Sequence, residues 1–206
     1  MTFSLRGFLR HLTAGTRSDA PGRLGEFLRA QGAYVAQKSV LDYCRVKAGR
    51  HEQKLFAEPD FQAALKHCRW QVYFGALADV TALAEAWLRP HAVEREAALA
   101  EALARLHDAA LASETPPPEE AGTAATFSIR SHLAALQLAP PHRSHEMPLL
   151  AEAPLFATLP IHPENRTGES ASIRGALRFL IVSTQQEMER RFAAAPLAAA
   201  LSDHSS

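Results

Sequence analysis

The carboxylate with the strongest claim to chemistry is Asp79. It follows Phe61 by eighteen residues, about five turns at 3.6 residues per turn. On a helix over 60–88 it therefore points with Phe61, Val72 and Leu83 into an apolar face. A carboxylate in that setting must be paired, hydrogen-bonded or protonated. Such a group suits acid/base work or the anchoring of a ligand. The commoner arrangement is a structural ion pair with a cation of the preceding helix, Lys38 or Arg45. Gly75, one turn earlier, leaves room for another backbone or a ligand to approach.

Asp42 is its counterpart, five turns after Leu24, with Lys38 at i−4 and Arg45 at i+3. If the two helices pair antiparallel, Gln37, Lys38, Asp42, Tyr43 and Arg45 face His67, Gln71, Tyr73 and Asp79. That set makes either a polar pocket, with Tyr34, Trp70 and Tyr73 in its wall, or one hydrogen-bond network that sets helix register. The segment from Leu159 to Glu169 adds His162 between two prolines and Arg166 ahead of a helix start, where an anion is favoured. A local pair of Arg166 with Glu164 or Glu169 is the competing arrangement. The candidate ligand-binding residues are thus Gln37, Asp42, His67, Trp70, Tyr73, Asp79, His162 and Arg166.

Other chemistry is poorly supported. His142, His145 and Glu146 form H-x-x-H-E after Pro140–Pro141, which is neither zinc-protease order. Adding His162 gives three histidines in one segment, but ten in the chain make chance proximity easy. The glycine-rich nucleotide motifs, G-x-S-x-G, H-E-x-x-H and C-x-x-C are all missing. No metal or cofactor is expected, and no catalytic motif is identified.

The elements that must position these residues read as helices. Phe27, Ala30, Tyr34, Gln37, Leu41, Cys44 and Ala48 step by three and four along a helix over 23–48, which Gly49 stops. Leu24, Leu28, Val35 and Val46 form a second apolar row, so this helix is placed centrally. The spacing predicts further helices over 60–88, 92–112, 126–138 and 170–192, with Ser170 as the N-cap of the last. Residues 4–13 carry Leu5, Phe8, Leu9 and Leu12 on one side, with Arg6 and Arg10 elsewhere, as a short amphipathic helix. Residues 113–122 read as an exposed loop. The tail from Pro196 adds one Ala-rich turn, and residues 203–206 fray.

Residues 139–170 hold six prolines, so no helix longer than two turns fits. Their Met147, Leu149, Leu150, Leu155, Phe156, Leu159 and Ile161 are costly to leave in water. The segment is therefore expected to be ordered and to wrap across the helices. The fold expected is all-α: one domain over 1–206, five main helices in a bundle-like array, a short N-terminal helix, and this long Pro-rich crossover.

Composition narrows the function classes. The chain has 206 residues with 40 alanines and 18 Arg against 4 Lys, the bias of a GC-rich coding sequence. Alanine favours helix, and sparse Val and Ile disfavour a large sheet. Net charge is zero and the pI about 7.2, so nucleic acid is not expected as a partner. The charge is zoned, however. Residues 1–54 hold 10 basic and 4 acidic residues, while residues 55–120 hold 5 and 11. No apolar run approaches ~18 residues, and Cys44 and Cys68 suit a reduced, cytoplasmic setting. The reading that fits best is a helical interaction or adaptor protein, with a protein partner or self-association through residues 1–12 and the charged helix faces. A membrane surface is a weaker destination for residues 3–12. A module binding a small or amphipathic ligand between the helices over 23–48 and 60–88, closed by residues 139–170, is the alternative. An enzyme using Asp79 with a histidine is the third reading.

Overall fold

A computed structural model describes residues 17–120, 122 and 128–203. Its helices are α1 (Pro21–Ala48), α2 (Glu52–Ala57), α3 (Pro59–Leu88), α4 (Glu96–Ala112), α5 (Ile129–Leu136), α6 (Glu152–Thr158), α7 (Ser170–Arg191) and α8 (Ala194–Asp203). The described residues contain no strand, only an isolated bridge between Ser18 and Phe192. The chain is all-α, and none of the described helices is long and apolar enough to cross a membrane. The predicted helix over 4–13 lies outside the described residues.

Local signals account for the main boundaries. Pro21 and Pro59 sit in the first turns of α1 and α3, where a missing N–H costs nothing. Gly49 ends α1 at φ 50°, a conformation that favours glycine, and donates its N–H to the Arg45 carbonyl. Ser128 caps α5 by accepting the Ser131 N–H at 3.3 Å. Ser170 does not cap α7. It is the first helical residue, and Glu169 occupies the cap position without a side-chain bond to the helix. The third predicted helix begins at Glu96 and not at 92, because a 3-10 turn and Glu94 at φ 66° intervene after Leu88.

The C-terminal tail is more than one turn. It forms all ten residues of α8, because Leu197, Ala198 and Leu201 bury against α3 and α4. Asp203 closes that helix and pairs with Arg95, while residues 204–206 lie outside the described residues.

The centre of the array is α3, not the helix over 23–48. Every residue from Ala76 to Glu85 is buried, so this half of α3 has neighbours all round. It meets α1, α4, α5, α6, α7 and α8. Helix α1 crosses it antiparallel, with Gly32 on Leu77 and Cys44 near Cys68. The buried row of α1 is Leu24, Leu28, Gln31, Val35 and Ser39. Of the heptad-like seam, Phe27, Cys44 and Ala48 are buried while Ala30 and Tyr34 turn outward, Tyr34 being 40% exposed; Val46, from the second row, is 78% exposed.

The α1–α3 crossing depends on Gly32. A Cβ there would stand 2.9 Å from the Leu77 Cα, backbone against backbone. Gly32→Ala should therefore cost about 1–3 kcal/mol through overpacking. Gly22→Ala, on the open first turn of α1, should gain up to about 1 kcal/mol from helix propensity. Denaturant unfolding of the two variants reads both, and a stabilised Gly32→Ala would refute the close crossing.

Candidate functional site around Asp79

Asp79 is fully buried, as its helical placement predicts. Its partner comes from a different element than expected. No cation of α1 reaches it. Its two oxygens accept the backbone N–H groups of Leu150, at 2.7 Å, and Ala151, at 3.0 Å. Gly75 supplies the space, since a Cβ there would lie 2.7 Å from both N and Cα of Ala151. The approaching backbone belongs to the Pro-rich segment just before α6. Amides at a helix start have no partner within their own helix, and Ala151 in the cap position carries no side-chain acceptor. Asp79 is thus a capping carboxylate delivered from another helix.

Arginines hold the rest of the segment. Arg178 of α7 donates to the carbonyls of Ser144 and Met147. Arg166 donates to the Phe156 carbonyl at 2.9 Å, and not to Glu164 or Glu169. Arg174 pairs with Glu152 and stands 5.4 Å over the Phe156 ring. Beneath these contacts Met147, Ala151, Leu155 and Leu159 are buried, so the Pro-rich segment packs across the helices as expected.

The remaining candidates scatter. Asp42 is at the surface, 2.6 Å from Lys38 and 3.9 Å from Arg45. Gln37 is half-buried on α1. Trp70 and Tyr73 are buried and stack edge to face, with ring centroids 5.8 Å apart, while Tyr34 is exposed. The three aromatics therefore do not enclose a cavity. The Tyr73 hydroxyl is buried without a hydrogen-bond partner, and burial raises its pKa. His162 is exposed and accepts the Glu164 N–H at 3.4 Å. His145 meets only Glu146 in an exposed pair, at 3.5 Å. Among the described residues no three His, Cys, Asp or Glu gather as a metal site. Burial pushes the thiols of Cys44 and Cys68 up to about 12 and about 11, which keeps both protonated at neutral pH.

Two further buried carboxylates escaped the sequence reading. Glu120 is almost fully buried, although residues 113–122 read as an exposed loop. Its oxygens take His67 Nδ1 and Gln71 Nε2, both at 2.6 Å. Glu85 is fully buried in a two-point pair with Arg89, at 2.8 and 2.9 Å. Arg89 goes on to the Ala139 carbonyl at 2.6 Å, past the end of α5. Spacing offered a signal for Glu85, since Arg89 follows one turn later inside an apolar run. Nothing local marks Glu120.

A surface groove of about 470 Å³ lies where α1, α2 and the Pro-rich segment meet, lined by Lys47, Leu55, Pro160, Ile161, His162 and Asn165. Lys47 beside it is held by Glu169 at 2.7 Å, which also accepts the Tyr43 hydroxyl at 2.6 Å. Neither Asp79 nor the aromatic cluster lines this groove.

Asp79→Ala should strand two amides, at about 1–3 kcal/mol each, partly offset by removal of the buried charge. Asp79→Asn keeps one acceptor and should cost less. Denaturant unfolding checks this order, and a stabilised Asp79→Ala would mark Asp79 as a group kept for binding at the expense of stability.

The pH dependence has a definite sign. Burial pushes the Asp79 carboxyl from 3.8 up to about 7, against the pull of the Ala151 and Leu150 amides and of Arg178. The folded chain then holds this proton to a higher pH than the unfolded chain. Its contribution to stability is present below about 4 and declines as pH rises toward about 7. The stability difference between wild type and Asp79→Asn should fall across that window, and a difference independent of pH would contradict the raised value.

No protein-family model, no curated protein and no solved structure matches the chain.

Proposed function

We propose that the chain is a helical interaction protein of the adaptor or scaffold type, acting in a reduced, cytoplasmic setting. The observation that carries this reading is the filled interior. The space between α1 and α3 that would receive a ligand is occupied by the Gly32–Leu77 crossing and by the packed Trp70, Tyr73 and Phe74 rings. Asp79 is engaged with the chain's own backbone. What remains for recognition is the surface.

The two charge zones partly neutralise each other within the chain, and the charges left exposed are what a partner would meet. The basic zone over 1–54 and the acidic zone over 55–120 meet in the pair Arg29–Glu114, at 3.0 Å. Arg23 and Arg50 stay exposed on the basic side and suit an acidic protein surface. The groove beside Lys47 and His162 favours a second reading, a small-ligand site at the end of the α1–α2 connection.

Native mass spectrometry of the full chain purified from its own cells separates the two. The interaction reading predicts a complex with a second protein, lost in the double variant Arg23→Glu with Arg50→Glu, and no small-molecule adduct. A retained small molecule without any protein complex would favour the groove.

A further inference from the structure

The groove where α1 and α2 meet the Pro-rich segment has two kinds of wall. Leu55, Pro160 and Ile161 make one part apolar, and Lys47, His162 and Asn165 supply hydrogen-bond donors. The donors are placed by the chain itself. Lys47 is tied to Glu169 at 2.7 Å, which holds its ammonium at the wall with two of its three N–H groups unused among the described residues. His162 Nδ1 accepts the Glu164 N–H at 3.4 Å, so the neutral ring carries its proton on Nε2 and donates from there. The Asn165 side chain is exposed and bonds to nothing among the described residues.

Charge sets the sign of the occupant. Residues 45–55 and 159–169, which form the walls, hold five Lys or Arg against three Glu. Two of the acids are matched within the chain, Glu52 by Arg45 at 3.2 Å and Glu169 by Lys47. Glu164 opposes, exposed beside the His162 ring at 3.6 Å. Arg50 and Lys54 are exposed and form no ion pair among the described residues. The positive excess therefore continues past the groove, through the turn at 49–51 and into α2.

We propose that this groove docks an extended acidic segment of a protein partner. An apolar side chain of that segment sits on Leu55, Pro160 and Ile161, and carboxylates on either side of it meet Lys47 and the cations at 50–54. The occupant is a polypeptide because the cations are spread over the last turn of α1, the turn at 49–51 and α2. A single headgroup meets one of these places, whereas a chain with acids flanking an apolar residue meets them together. The apolar contact anchors, and the charges steer and orient. The proposal rests on the interaction reading above and gives its partner a chemistry and a place. A small ligand in the same groove becomes an outcome of the test.

The test is a titration of the full chain, followed by amide NMR shifts, with the acetylated and amidated peptide Asp-Glu-Leu-Phe-Asp-Glu. Two control peptides replace its acids by Lys or its Leu-Phe by Ala-Ala. The first peptide should move the amides of Leu55, Ile161 and Asn165 and saturate, and each control should bind roughly tenfold more weakly or less. Asn165→Glu should weaken binding about fivefold and Asn165→Lys should strengthen it about fivefold, the effect of one charge about 4 Å away in water. Both variants change only an exposed side chain, so both keep the fold. Added salt should weaken binding to the wild type. No shift in the groove, equal binding of the Lys peptide, or the same response from both Asn165 variants overturns the proposal. Hexanoate binding there as tightly as the peptide also overturns it, in favour of a small-ligand site. A protein complex seen by native mass spectrometry and unchanged in Asn165→Glu overturns the groove as its seat and leaves the interaction reading standing.

Discussion

Two hydrogen bonds from the backbone of Leu150 and Ala151 to the Asp79 carboxylate are the constraint on which the rest of the arrangement depends. The segment they hold has six prolines in 139–170 and cannot satisfy its own backbone through a long helix. Left to itself it would keep its amides in water and leave its apolar side chains exposed. The central helix supplies what is missing, an acceptor at Asp79 and, one turn away at Gly75, a gap into which the backbone fits. Once the start of α6 is fixed there, Leu155 and Leu159 complete the core.

The same device recurs along α3. His67 and Gln71 hold Glu120, which anchors the end of the proline-containing connection after α4. Glu85 positions Arg89, which donates to the Ala139 carbonyl beyond α5. Glu120, Ala139 and the Leu150–Ala151 backbone are thus each tied to α3 by a polar contact in or beside the core. Buried polar groups cost stability unless satisfied, and Asp79, Glu85 and Glu120 are satisfied by groups that need partners of their own. The consequence for function is that these polar side chains are occupied, and recognition moves to the surface.

The long helices were legible because their signals are local: three- and four-residue apolar steps, Pro21 and Pro59 near helix starts, Gly49 at a stop. The burial of Asp79 was legible for the same reason, since angular placement follows from counting. Its partner was not, because Leu150 and Ala151 act through their backbones and a backbone amide leaves no mark in the sequence. Asp42 obeyed the same count as Asp79 yet is only half-buried, because α1 is covered on fewer sides than α3. Helix α8 was underestimated because Ala-rich sequence is ambiguous until something packs on Leu197 and Leu201. Glu120 was hidden by its neighbours, which are those of a solvated loop.

Amide hydrogen exchange, read residue by residue by NMR, tests the central role of Asp79 most directly. The amides of Leu150 and Ala151 should exchange slowly in the wild type. In Asp79→Ala they should exchange fast while the amides over 76–85 of α3 remain protected. Fast exchange of the two amides in the wild type, or slow exchange that survives the loss of Asp79, would contradict it.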